Sequence, residues 1–290
     1  MNYRNNKLLS LIITILAYSI ALICAIMSLS LIKSIDNVLI KTFVSDLVAT
    51  VVIFLFSVIF SNASLYDPYW SVAPPLIIYA WLINASANSK QLGALLLLVT
   101  LLWSIRLTTN WARGWKGLVH EDWRYIQLKK KNPVLYPLIN FAGIHLFPTV
   151  MVFLCLIPAY YTVNVTDASI NLVSVIGLVL CLAGTLISLI ADEQLRKFRK
   201  SEPVTACIQT GLWKNSRHPN YLGEIIFWAG IFVVAVGVDL SLYWTVIGSV
   251  LLTLMFIFIS IPMMEKRNLE KRSCYRDVIR KIPMLVSFIK

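Results

Sequence analysis

The chain is predicted to fold as an all-α, polytopic integral membrane bundle. Three features of the 290 residues point there. Hydrophobic residues make up 58% of the sequence and charged ones 14%, against about 25% charged residues in an ordinary soluble domain. The apolar residues form runs of roughly 20, the length of a bilayer-spanning helix. The cations fall almost wholly between alternate runs.

Taken in order, the predicted spans cover roughly 8–32, 43–61, 71–87, 91–112, 136–163, 169–191, 221–238 and 241–263, seven or eight in all. The first is too long for a signal-peptide core and is expected to be retained. The third contains Pro74-Pro75, which leave carbonyls that neighbouring groups must satisfy. The segment 134–148, with Pro137, Gly143, His145 and Pro148, reads as a half-helix ahead of the fifth span.

Orientation follows from Lys and Arg. With the amino terminus inside, the inner segments carry Arg4 and Lys7, six cations in 113–133, six in 193–219 and eight in 264–290. The outer loops carry Lys33, Lys41 and Lys90, so the alternating assignment gives 22 against 3, with Arg106 inside a span. Both termini are therefore expected to be cytoplasmic, in a bacterial inner membrane or endoplasmic reticulum.

The net charge of +12 is explained by this rule and by attraction to anionic membrane lipids. The cations flank spans and no recognition motif accompanies them, so nucleic acid is not an expected partner. The cysteines at 24, 155, 181, 207 and 274 are scattered, with no metal-ligand spacing and no disulfide framework. No metal is expected. With no repeat or linker, the chain reads as one membrane domain, 1–290.

Two polar clusters meet the same membrane face. One is Asp192-Glu-Gln-Leu-Arg196-Lys-Phe-Arg199, the continuation of an apolar run. Asp192, Arg196 and Arg199 stand at i, i+4 and i+7, on one helical stripe. The other is Arg217-His218-Pro-Asn220-Tyr221-Leu-Gly-Glu224, where Asn220 and Glu224 are one turn apart as the next span begins. A carboxylate inside a span points to function.

These residues resemble the carboxy-terminal domain of the steroid 5α-reductase family, in particular the branch described as DUF1295. The resemblance rests on Asp192…Arg196…Arg199, Gly211-Leu-Trp and Asn220-Tyr-Leu-Gly-Glu224. It extends over 65–285 through Asp67-Pro-Tyr-Trp-Ser, Arg106…Arg113 and Glu121-Asp-Trp-Arg-Tyr. It implies NADPH as cofactor, with Asp192, Arg196, Arg199, Arg217, His218, Asn220 and Glu224 as contacts, and arginines forking onto phosphate. The implied reaction reduces a double bond of a lipophilic substrate, steroid-, polyprenoid- or fatty-acyl-like, entering from the bilayer. Tyr69, Tyr221 and Glu224 are the candidate acids. The Arg217-His-Pro-Asn-Tyr piece is also similar to isoprenylcysteine carboxyl methyltransferases. Ser188, Glu265 and Leu269 stand where the steroid reductases carry Asn, His and Tyr. The alternative expectation is therefore a methyltransferase using S-adenosylmethionine, held by His218, Tyr221 and Glu265.

Overall fold

The computed structural model describes residues 4–32, 34–164 and 169–286. Among these residues there is no strand. The helices are α1 (Lys7–Leu31), α2 (Val38–Ile59), α3 (Tyr69–Ile83), α4 (Ala87–Gly114), α5 (Trp123–Lys131), α6 (Tyr136–Asn164), α7 (Leu172–Ser201), α8 (Pro219–Val238), α9 (Leu240–Lys271) and α10 (Tyr275–Lys281). Seven of them, all but α3, α5 and α10, are long and apolar enough to cross a membrane.

Helix α3 has 15 residues, about 22 Å at 1.5 Å per residue, short of the roughly 30 Å hydrocarbon core. It still runs along the bundle beside α4. The turn before it, 60–68, is pinned to the segment that follows α4: Asn62 Nδ2 donates to Leu118 O at 2.8 Å and Ala63 N to Glu121 Oε1 at 2.8 Å. Helix α3 thus starts at the end of the bundle where α4 stops. With α3 antiparallel to α4, the chain returns both ends to one end of the bundle. Arg4 O accepts from Val119 N at 3.2 Å, and Pro283 O accepts from Arg217 N at 2.9 Å.

The expected half-helix at 134–148 is instead the start of α6, continuous through a π-helical stretch, Ile139–Leu146. The tryptophans of the cation-bearing end take different places. Trp115 and Trp213 are buried, and Trp123 stacks under the Arg267 guanidinium at 4.2 Å, tying α5 to the end of α9.

Helices α7 and α8 set the geometry of the polar face. A Cβ built on Gly184 would lie 2.5 Å from Gly223 O, and one on Gly230 would lie 2.7 Å from Cys181 N. Small residues let two membrane helices approach backbone to backbone, where dispersion replaces the hydrophobic drive that lipid cannot supply. Gly223 precedes Glu224, and Gly184 lies about two turns before Asp192. The close approach therefore carries the two acids to the same level. Beneath them Trp103 stacks on Phe227 at 4.9 Å and meets Trp228 edge-on at 5.2 Å, a dry aromatic floor.

Candidate functional site

Three groups of polar side chains converge where α4, α7, α8, α9 and α10 meet at the cation-bearing face. The first is centred on Arg106. Its guanidinium lies 2.5 Å from Glu224 Oε1 and 3.3 Å from Asp192 Oδ2. Trp103 Nε1 donates to Glu224 Oε2 at 2.8 Å and Asn110 Nδ2 to Asp192 Oδ2 at 3.0 Å. Trp103, Arg106 and Asn110 are spaced i, i+3, i+7 along one face of α4. Both Glu224 oxygens are occupied, so this carboxylate holds other groups in place.

The second group joins α8 to α9 and the tail. Arg217 Nε lies 2.6 Å from Glu265 Oε1, and its guanidinium also donates to the carbonyls of Ile279 and Ile282 at 3.2 and 2.6 Å. His218 Nε2 is 3.1 Å from the same Glu265 oxygen. Arg217 therefore binds the carboxy-terminal segment to the start of α8, and His218 and Glu265 form a pair on its flank.

The third group lines an open cleft beside the second. Its inner part, about 110 Å³, is walled by Arg199, Cys207, His218, Asn220, Tyr221 and Tyr275. Arg199, Asn268 and Arg272 also line an outer basin of about 320 Å³, joined there by Arg267 and Lys271. Two buried polar atoms of the inner part, Asn220 Oδ1 and the Tyr275 hydroxyl oxygen, make no well-formed hydrogen bond among the described residues, with Asn268 beside the Tyr275 hydroxyl. Burial, then the nearby Glu265 charge, pushes the Tyr275 hydroxyl up to about 12, so it is a standing donor. A buried polar atom left unbonded is expensive, and both sit where a polar ligand can satisfy them.

Of the residues expected on the site, Asp192 and Glu224 meet through Arg106. Arg199, Arg217, His218, Asn220 and Tyr221 line the cleft. Arg196 is turned aside onto Glu193 at 2.5 Å, and lines a lateral groove with Arg113 and Lys197. Tyr69 lies elsewhere. It faces an apolar cavity of about 520 Å³ between α1, α2, α3 and α4, lined by Tyr18, Ala49, Ala73, Ile77 and Thr108 among others. There its hydroxyl donates to Asp46 Oδ1 at 2.6 Å, and Asp46 is buried.

Several partners were not singled out in the sequence. Arg106 had a visible signal, a lone cation in an apolar run, and Asp46 had the same signal with opposite sign. Arg267 and Arg272 lie within the eight cations of 264–290, explained as a group by their membrane face, and nothing in the sequence marks Tyr275. The expectation of no disulfide framework is corrected by a Cys207–Cys274 bond. Its partners are 67 positions apart, a separation that no local spacing rule detects.

A family model described as "Protein of unknown function (DUF1295)" matches residues 53–282. An uncharacterized protein of Schizosaccharomyces pombe is 27% identical over 241 residues, covering 74% of this chain and 70% of the relative. No solved structure matches.

Proposed function

The chain belongs to the DUF1295 family, and on this site we propose that it is a membrane-embedded, NADPH-dependent reductase acting on a double bond of a lipophilic substrate. The observation that carries the reading is the cleft. Arg199, Arg267, Lys271 and Arg272 ring its outer basin, and the two buried polar atoms of Asn220 and Tyr275 lie at its inner end. Guanidinium groups bind phosphate bidentately, and the basin offers several to a ligand carrying a pyrophosphate and a further phosphate. Inside, an amide oxygen and a phenol suit the hydroxyl and carboxamide groups of a nucleotide.

NADPH, when bound, supplies the hydride. The rest falls to side chains of this chain. Arg106, Asp192 and Glu224 fix the levels of α4, α7 and α8 behind the cleft. Tyr221, at its inner wall and 4.8 Å from Phe256, is placed to donate a proton beside the cofactor.

The apolar cavity between α1 and α4 is the place for the lipophilic substrate. Its size falls within the roughly 300–1,000 Å³ of small-molecule sites, and its walls are span residues. Asp46 accepts the Tyr69 proton at the wall; turned from Asp46 to a bound substrate, that single proton is donated to a carbonyl conjugated to the double bond and polarises it. Water is excluded, which strengthens that bond. Helix α4 lies between the apolar cavity and the acid pair: Thr108 and Trp111 face the cavity, while Arg106 and Asn110 bond Asp192 and Glu224.

One observation favours methyl transfer from S-adenosylmethionine: His218 and Glu265, which that reading requires, lie 3.1 Å apart. Glu265 already bonds Arg217, however, and a cationic basin repels a sulfonium cofactor. The test is ligand-induced thermal stabilisation of the full chain in detergent. Selective stabilisation by NADPH supports the reductase, and stabilisation by S-adenosylmethionine alone refutes it.

A further inference from the structure

The disulfide lies in the wall of the cleft. Cys207 belongs to the segment 202–210 between α7 and α8, and Cys274 to the junction of α9 and α10. These two strips face each other across the opening. Ala206, Cys207 and Ile208 form one side, and Asn268, Arg272 and Tyr275 the other. Beside the disulfide, Arg272 Nε donates to Val204 O at 2.9 Å.

The outer basin holds about 320 Å³, but the inner cleft that the rest of the ligand must enter holds only about 110 Å³, below the roughly 300 Å³ at which small-molecule sites begin. A dinucleotide enters only if the walls part. A covalent bond between those walls opposes the parting. Both sulfurs belong to half-buried residues, within reach of a small reductant. The bond also lies on the face that carries the cations, which the charge distribution assigns to the cytoplasm. In that compartment disulfides are rare, and those that form are usually transient or regulatory.

From this we infer that Cys207–Cys274 is a redox latch on the cleft: the disulfide holds it narrow, and reduction to two thiols lets it open to its ligand. The inference rests on the cofactor reading given above. In the chemical step, a dithiol reductant delivers two electrons and two protons. The Cys207–Cys274 bond breaks through a mixed disulfide, two protein thiols form, and the reductant leaves as its own disulfide. The latch makes the cleft ligand-competent under reducing conditions and closes it on oxidation.

The test uses the full chain in detergent, oxidised with diamide or reduced with dithiothreitol, with thiols counted by mass after alkylation. Hydrogen exchange at 203–210 and 275–282 reads the latch without any cofactor. NADPH titration then reads the consequence. We expect reduction to raise exchange in both segments and to tighten NADPH binding at least about tenfold. Cys207→Ser should match the reduced protein and ignore diamide, while Cys24→Ser, remote from the cleft, should retain the switch. Failure of the bond to form under diamide, or equal exchange in the two forms, overturns the latch whether or not NADPH binds. Faster exchange with no NADPH binding to the reduced form leaves the latch standing as a gate on the cleft and refutes the cofactor reading. Equal NADPH affinity in the two forms overturns the latch's role.

Discussion

Arg106 and Glu224, 118 positions apart, meet inside the bundle at 2.5 Å, with side-chain exposures of 5% and 7%. A buried charge pair returns little net stability, but removing one partner leaves the other uncompensated. Arg106→Met should destabilise the protein by about 3–5 kcal/mol, because it strands Glu224 and loosens Asp192. Arg106→Met combined with Glu224→Leu should recover part of that loss. Denaturation in detergent followed by tryptophan fluorescence measures both.

The glycine contacts between α7 and α8 predict a second effect. Gly184→Ala places a Cβ against Gly223 O and the backbone of Phe227, atoms that cannot rotate away. The helices must separate, at a penalty of about 1–3 kcal/mol typical of overpacking. Asp192 and Glu224 should move off Arg106 together. NADPH affinity should therefore fall although no cleft residue has changed, whereas Gly114→Ala, which meets no neighbour within 4 Å, should be silent in both assays.

Asp67 gives a pH dependence. Burial pushes its carboxyl up to about 7, against the opposing pull of Arg124 and the hydrogen bond from Tyr125. A raised carboxyl favours the protonated folded state, so its contribution is present below the unfolded value near 4 and is lost as pH rises toward 7. Asp67→Asn keeps an acceptor for Tyr125 without a charge. The variant should be more stable than the parent at pH 8, with the advantage shrinking steadily as pH falls to 5. Thermal melts at the two pH values decide it.

The two cavities should separate kinetically. Tyr69→Phe removes the hydroxyl held by Asp46 and should reduce turnover about 10²–10⁴-fold, the usual worth of a positioned acid, with unchanged NADPH affinity. Arg272→Ala should weaken NADPH about tenfold, within the range of a charge-assisted bond, and more at low salt than at high salt. A cofactor defect in Tyr69→Phe would contradict the division of labour between the cavities.

The membrane bundle was legible because hydropathy and cation placement are one-dimensional signals. The short α3 has Pro74-Pro75 within its apolar run, and its position beside α4 is set by hydrogen bonds of the turn before it, which the sequence does not display. Within the site, Asp192 and Glu224 stood out as charges beside apolar runs. The stripe containing Arg196 was less decisive. At about 100° per residue, Arg196 falls about 40° to one side of Asp192 and Arg199 about 20° to the other, and Glu193 draws Arg196 outward. The Arg106 bridge, the Asp46–Tyr69 pair and the disulfide join residues brought together only by packing, which no spacing rule encodes.

Arg199→Ala offers the most direct test of the central claim. Arg199 lines both the inner cleft and the outer basin and forms no ion pair among the described residues, so its loss should leave the fold intact. The measurement is thermal stabilisation of parent and variant, kept reduced, across titrations of NADPH and S-adenosylmethionine. The account predicts a concentration-dependent rise with NADPH in the parent, a curve displaced about tenfold in Arg199→Ala, and no response to S-adenosylmethionine. A response to S-adenosylmethionine alone, or an NADPH response identical in parent and variant, would contradict it.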